Sequence, residues 1–283
     1  MTNHHLPDTD RGALIVLDID QLELTGFPDG AVFRMLHTAA GRHGHTLAIP
    51  QTVAEEHLSH HRVEAQQSTE GPSEEAVQHL REALHTRFAI LPTPEGAAEA
   101  AMARVSDRSV RDTVVWLTLL DAFEAWDRML WFLSGNQGFA EGSALHPDLR
   151  AEAGLRLGTE RSLFLGLLKD GLLTLLKRWG TRVPLSAEDL NRLIQSDPVV
   201  RQVRPSTGHL TFGSRLGLTR AYQIDDRLWV PGRIRWRVGG EEPTSSGSSS
   251  LVTRVLLEVG VEPLVVRGVT VLDVSAVEPN VST

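Results

Sequence analysis

The 283-residue chain has no cysteine, so it can build neither a disulfide framework nor a thiolate metal site. It has no apolar run of the ~18–20 residues that a membrane span needs. The nearest approach, LFLGLLKDGLLTLLKRW (Leu163–Trp179), is interrupted by Lys169 and Asp170 and reads as a buried helix, or as a strand followed by a helix. The opening MTNHHLPDTDRG lacks the basic-then-apolar order of a signal peptide, so a soluble, cytoplasmic protein without a membrane partner is expected. Also missing are GxxxxGK[ST], a GxGxxG that opens a helix, and a GxSxG elbow. These absences argue against nucleoside triphosphatase, dinucleotide-dependent dehydrogenase and serine-hydrolase chemistry. No internal repeat is visible.

What is present is an ordinary globular composition, 41% hydrophobic and 23% charged, with enough length to bury a sizeable core. The net charge of −8 is unevenly placed. Residues 200–283 carry ten arginines and eight acids, a formal +2, which leaves −10 for residues 1–199. Within Arg201–Arg237 there are eight arginines and two acids. That asymmetry predicts two regions with different tasks.

In the acidic part, strand and helix patterns alternate. GALIVLDIDQL (Gly12–Leu22) has the continuous apolar character of a buried parallel strand and ends in acids. A helical pattern follows over Ala31–Gly44. The short strand TLAIP (Thr46–Pro50) comes next, with Pro50 opening the helix over Gln51–Gln67. Further helices are predicted over Gly71–Arg87, Thr93–Val105 and Asp107–Trp126, and further strands at FAILP (Phe88–Pro92) and MLWFLS (Met129–Ser134). This alternation implies an α/β domain with a parallel sheet flanked by helices. After a capped helix at Ser186–Asp197 the pattern becomes β-rich, in four segments between His209 and Ser275 with a low-complexity loop at Ser245–Ser250. We therefore expect an α/β domain with a helical extension over residues 1–183, and a helix plus a small antiparallel β domain over residues 184–283.

Several acids fall where a parallel sheet delivers residues to a site, beyond the carboxyl ends of its strands. Asp18 and Asp20 close the first strand and, by strand alternation, point the same way. Glu55 and Glu56 lie on the helix after the second strand, Asp112 opens the long helix after the third, and Asn136 follows the fourth. Each acid taken alone has a plainer reading, as a helix-dipole partner or a solvated helix face. Together they would repel one another unless a cation neutralised them. Oxygen donors without thiolates favour Mg²⁺ or Mn²⁺ over Zn²⁺, and such a site suits metal-assisted hydrolysis of a phosphodiester.

The order LDID (Leu17–Asp20), IPQTVAEEH (Ile49–His57), RDTVVWLTLL (Arg111–Leu120) and FLSGNQGF (Phe132–Phe139) resembles the PIN-domain family of metal-dependent nucleases. LHPDL (Leu145–Leu149) is similar to a subgroup of larger PIN-like proteins. The resemblance covers roughly residues 12–150 and extends toward 180. It implies that Asp18, Glu56 and Asp112 are metal ligands, with Glu55 the alternative register, and that Asp20 belongs to the metal site with them, as a ligand or in support of the ligands. It also implies that Asn136 orients water or phosphate, with Mg²⁺ or Mn²⁺ as cofactor. The chain departs from the pattern at Gly138, where the subgroup has Asp directly before the closing Phe. The implied function is a metal-dependent endonuclease acting on RNA or single-stranded DNA. The alternative is a catalytically degenerate PIN-like scaffold in a toxin–antitoxin or defence assembly, with an antitoxin or other protein partner. A homodimer is a further option that the family suggests.

Two other groups stand out. His57, His60 and His61 share a helix face and could hold zinc, or His57 could tune Glu56; solvated histidine-rich faces are common. In RIRWR, alternation puts Arg233, Arg235 and Arg237 on one strand face, where they could follow a phosphate backbone while Trp229 or Tyr222 stacks on a base. An amphipathic strand with Trp236 in the core explains the same pattern, and an arginine face could instead dock on an acidic surface.

Overall fold

The computed structural model describes residues 12–67, 74–104, 108–126, 129–141, 144–158, 163–203, 210–213, 220–238 and 250–277. In chain order the elements begin with β1 (Leu14–Leu17), α1 (Ile19–Thr25), α2 (Ala31–His43), β2 (Thr46–Pro50) and α3 (Gln51–Gln67). Next come α4 (Glu74–Arg87), β3 (Ala89–Leu91), α5 (Ala97–Ala103), α6 (Val110–Ala125) and β4 (Leu130–Leu133). A small hairpin of β5 (Ala140–Glu141) and β6 (Ala144–Leu145) leads to α7 (Pro147–Leu157), β7 (Leu163–Gly166) and α8 (Leu168–Trp179). The rest comprises β8 (Thr181–Val183), α9 (Ala187–Ile194), α10 (Asp197–Val203), β9 (Leu210–Gly213), β10 (Ala221–Ile224), β11 (Arg227–Val238), β12 (Ser250–Gly260) and β13 (Val265–Val277).

The chain forms two compact units. One comprises Met1–Glu23 with Ala39–Gly171, the other Leu24–Thr38 with Leu172–Thr283. The division falls earlier than the expected 183/184 boundary, and a segment near the N-terminus belongs to the second unit. The expected α/β architecture is present. The first unit holds a sheet in the order β3-β2-β1-β4-β7 with all pairings parallel. Every residue of β1 and β4 is buried, as continuous apolar strands covered on both faces require. Chain order reverses at β1, which lies between β2 and β4, so the crevice at the carboxyl ends of β1 and β4 is where such sheets bind ligands.

The run Gly12–Leu22 is not one strand. It stops at Leu17, because the Asp18 carboxylate accepts from the Ile19 amide at 2.8 Å and its main-chain carbonyl accepts from Gln21 and Leu22. Asp18 thereby caps α1, and Asp20 sits in that helix's first turn. Strand alternation does not relate the two acids. The Leu163–Trp179 stretch is a strand followed by a helix, and no helix among the described residues is long and apolar enough to cross a membrane.

The second unit is an antiparallel sheet ordered β13-β12-β11-β10-β8, with β9 also pairing with β11. Its core joins Leu190, Leu193, Ile194, Val199 and Val203 to Val230, Ile234, Val255, Leu257 and Val259. On the other face Glu258, 1% exposed, is paired with Arg34 and Arg227, an arrangement in which losing either partner would strand a buried charge.

The link from α1 to α2 turns tightly at Gly30, whose amide donates to the Gly26 carbonyl at 2.6 Å. A Cβ on Gly30 would lie 2.1 Å from the Thr25 carbonyl oxygen, whereas one on Gly41 meets nothing within 4 Å. Gly30→Ala is accordingly expected to destabilise the protein by about 3 kcal/mol and lower its unfolding midpoint by roughly 5–10 °C. Gly41→Ala, inside α2, should leave it unchanged or stabilise it by up to ~1 kcal/mol. Thermal unfolding of the two variants tests both.

Candidate functional site

Three elements of the parallel-sheet unit bring acids to one point. Asp18 ends β1 and is 1% exposed; Glu56 lies in the second turn of α3 at 30%; Asp112 lies in the first turn of α6 at 13%. Asp112 is fixed there because Ser109 caps α6, its hydroxyl accepting from the Asp112 amide at 3.0 Å. Glu55 takes the exposed register and accepts from Gln51 at 2.8 Å, so Glu56 is the acid that faces the site.

The point on which the three acids converge is held by Arg111. Its Nη2 donates to Asp18 at 2.6 Å, its Nε to Glu56 at 3.0 Å and its Nη1 to Asp112 at 3.0 Å. Burial works against the guanidinium's charge, yet the bonds to Asp18 and Asp112 and the charge of Glu56 outweigh it and hold Arg111 above its ordinary range. In the sequence Arg111 stands out only as the basic residue that precedes Asp112 in RDTVVW. The available signal was a cation placed next to an acid already assigned to the cluster.

The loop after β4 supports the acids from a second side. Ser134 donates its hydroxyl to Asp18 at 2.7 Å, and Asn136 donates its amide to Asp112 at 2.8 Å. Asn136 Oδ1 in turn accepts from the Gly138 amide at 2.8 Å, while Arg108 donates to the Gly138 carbonyl at 2.6 Å. Asp20 accepts from the Gly135 amide at 2.7 Å and from Gln21 at 2.6 Å through one oxygen. Its other oxygen, Oδ1, is buried and has no hydrogen-bond partner among the described residues. Burial raises the Asp20 carboxyl above its ordinary range; the Gln21 bond opposes that and the nearby Asp18 charge adds to it. Ser134, Arg108 and Gln21 are further contributors that sequence reading did not single out.

The donor types, three carboxylates around one positive charge, are those that a hard divalent cation takes. One guanidinium offsets one of three negative charges. With Arg111 standing between the acids, no three His, Asp or Glu side chains among the described residues are spaced to share an ion.

The histidines of α3 meet different partners. His60 contacts Glu23 at 2.9 Å, His61 contacts Glu64 at 3.6 Å, and His57 is 3% exposed with its ring edge-on to His61. In the antiparallel sheet Trp229 is fully buried and Tyr222 3% exposed, which corrects the expectation that either stacks on a base: both face the covered side of the sheet near Glu258. Ile234 is buried as alternation requires, and Arg233 is exposed, opposite Arg254 on β12. Arg235 and Arg237 continue that row in register with Val252 and Ser250. The side chains of Arg235, Trp236 and Arg237 lie outside the described residues, as do Arg204, Arg215 and most of the Ser245–Ser250 loop.

No family model and no curated protein matches the chain. Among solved structures, the crystal structure of VapBC2 from Rickettsia felis bound to a DNA fragment from their promoter is similar, with 12% identity and a TM-score of 0.30. The match covers 54% of this chain and 98% of that one.

Burial pushes the His57 imidazole down to about 4, and the neighbouring His61 acts in the same direction. The unfolded chain thus holds one more proton than the folded one between about pH 6.5 and 4. The resulting stability is complete above about pH 6.5 and falls by roughly 2–3 kcal/mol as the pH drops toward 4. Denaturant titrations across that window should show this loss, and His57→Leu should flatten it by about one proton's slope.

Proposed function

We propose that the pocket at Asp18, Glu56 and Asp112 is the active site of a metal-dependent endonuclease, with RNA as its substrate class. The observation that carries this reading is the convergence of three carboxylates, from three separate elements, on a single positive charge at the switch point of a parallel sheet. Asp18, Glu56 and Asp112 would hold Mg²⁺ or Mn²⁺, which when bound activates water and offsets the charge that develops on a phosphodiester. The chain's own residues arrange the rest. Ser134 holds one oxygen of Asp18 and Asn136 one oxygen of Asp112, so both carboxylates present fixed edges to the pocket. Asp20 ties the loop down through Gly135. In the other unit the exposed Arg233, with Arg235 and Arg237 in the same row, supplies positive charge for a phosphate backbone.

A second reading, a binding-only scaffold within a toxin–antitoxin or defence assembly, draws on two specific features. Gly138 brings no acid to the pocket, and Arg111 already compensates part of the charge. The two readings part on metal. The first expects Mn²⁺ binding at millimolar concentration or below and Mn²⁺-stimulated cleavage of single-stranded RNA, with Asp18→Asn and Asp112→Asn each lowering cleavage at least ~100-fold. Glu55→Gln should cleave like the parent. Absence of Mn²⁺ binding in calorimetry, with a protein partner retained through purification, would favour the scaffold.

Gly138 offers a gain-of-function check. A Cβ there would lie 3.1 Å from Asn136 Oδ1 and 3.5 Å from Asp112 Oδ2, so a carboxylate at this position joins the cluster after a small shift of Asn136. Gly138→Asp is expected to tighten Mn²⁺ binding about tenfold. Unchanged affinity would remove Gly138 from the site.

A further inference from the structure

We propose that Arg111 is a phosphate-binding residue of this pocket, parked on Asp18, Glu56 and Asp112 until a divalent cation takes the carboxylates and a phosphodiester takes the guanidinium. The inference rests on the metal-dependent reading above and names how that site opens.

All three guanidinium nitrogens of Arg111 are engaged and together reach three carboxylates, Nη2 meeting Glu56 at 2.9 Å as well as Asp18. A planar fork of this kind recognises the two-oxygen edge of a carboxylate and that of a phosphate equally well. A phosphodiester can therefore replace what Arg111 gives up, where a neutral ligand cannot. Exposure orders the pocket: Asp18 lies at the floor, 1% exposed, while Arg111 keeps 25% of its side chain in contact with solvent. Arg111 also stands in the first turn of α6, whose start is locked by the Ser109 cap. Release requires rotation of one side chain and no movement of the helix.

Charge decides the direction of coupling. With Arg111 bonded to all three, the acids and the guanidinium together carry a formal −2. A divalent cation that replaces the guanidinium leaves −1 on the cluster and frees a positive charge at its rim. That free charge attracts a phosphodiester anion, and an anion bound there keeps Arg111 off the acids. Cation and nucleic acid thus raise each other's affinity, reciprocally by thermodynamic linkage.

The test is Mn²⁺ titration calorimetry on the full chain, with and without a non-cleavable single-stranded RNA whose 2′-hydroxyls are all methylated. Arg111→Gln should bind Mn²⁺ about tenfold tighter than the parent when no RNA is present. The RNA should tighten Mn²⁺ binding to the parent about tenfold and to Arg111→Gln not at all. If the parent binds Mn²⁺ and Arg111→Gln binds it no more tightly, the inference is overturned while the metal site stands. If neither protein binds Mn²⁺ at millimolar concentration, the metal-dependent reading itself fails. Should Arg111→Gln not fold by circular dichroism, Arg111→Lys decides, because it keeps the charge and loses the fork. Reduced RNA–Mn²⁺ coupling in that variant upholds the proposal, and coupling equal to the parent's overturns it.

Discussion

Three carboxylates drawn from three parts of the chain cannot share a pocket unless something positive shares it with them. Asp18 illustrates the constraint. It is 1% exposed, so water screens it poorly, and its two oxygens are taken by Arg111 on one side and Ser134 on the other. A charge buried to that degree is tolerated when it is paired and hydrogen-bonded, and is expensive otherwise. Arg111 meets that demand for Asp18 and at the same time fixes the spacing of Glu56 and Asp112. The order of the site is therefore electrostatic before it is steric.

The parallel sheet makes this convergence available without long loops. β1 and β4 lie side by side, so the residues following Leu17 and Leu133 emerge together. The Asp18 amide donates to the Leu133 carbonyl at 2.9 Å, and the Ser134 hydroxyl returns to the Asp18 carboxylate. Backbone and side chain thus tie the same two strand ends. On the other flank, β2 passes directly into α3 and sets Glu56 one turn into that helix. Asp18 sits at the junction of β1 and α1, and Glu56 and Asp112 ride on helices, which limits how far the cluster can relax.

Much of this was legible in sequence because it depends on local periodicity. The strand-and-helix alternation, the caps and the acids at strand ends are short-range signals, and the α/β sheet with its separate antiparallel sheet follows from them. What sequence did not disclose depends on contacts across the chain. Asp20 was assigned to a strand because an apolar run reads alike in a strand or a buried helix start, and the Asp18 cap that decides between them shows only in three dimensions. Trp229, close in sequence to an arginine-rich strand, reads as a base-stacking residue because sequence does not show that its face is covered. The face carrying Trp229 and Glu258 is covered as well, with Arg34 from a segment more than two hundred residues earlier paired to Glu258. Arg111 is hidden for the same reason: a cation next to an acid has many uses, and two of its three partners lie 55 and 93 residues away in sequence.

The loop SGNQG shows how closely local composition can follow the site's demands. Its two glycines have different causes. A Cβ on Gly135 would lie 2.3 Å from Asp20 Oδ2, at the place where the Gly135 amide donates to that oxygen. A side chain there would break the tie between the loop and α1, so glycine at 135 is a consequence of Asp20. Gly138 is under no comparable pressure, since its nearest neighbour is the Asn136 side chain at 3.1 Å and its backbone is not in the left-handed region. Space does not forbid an acid at 138, and its absence is better understood through charge. The pocket already carries three carboxylates against one guanidinium, and a fourth would raise the repulsion that Arg111 alone has to offset. A pocket that rests with a single arginine inside it has little charge to spare for a further acid, and Gly138 adds none.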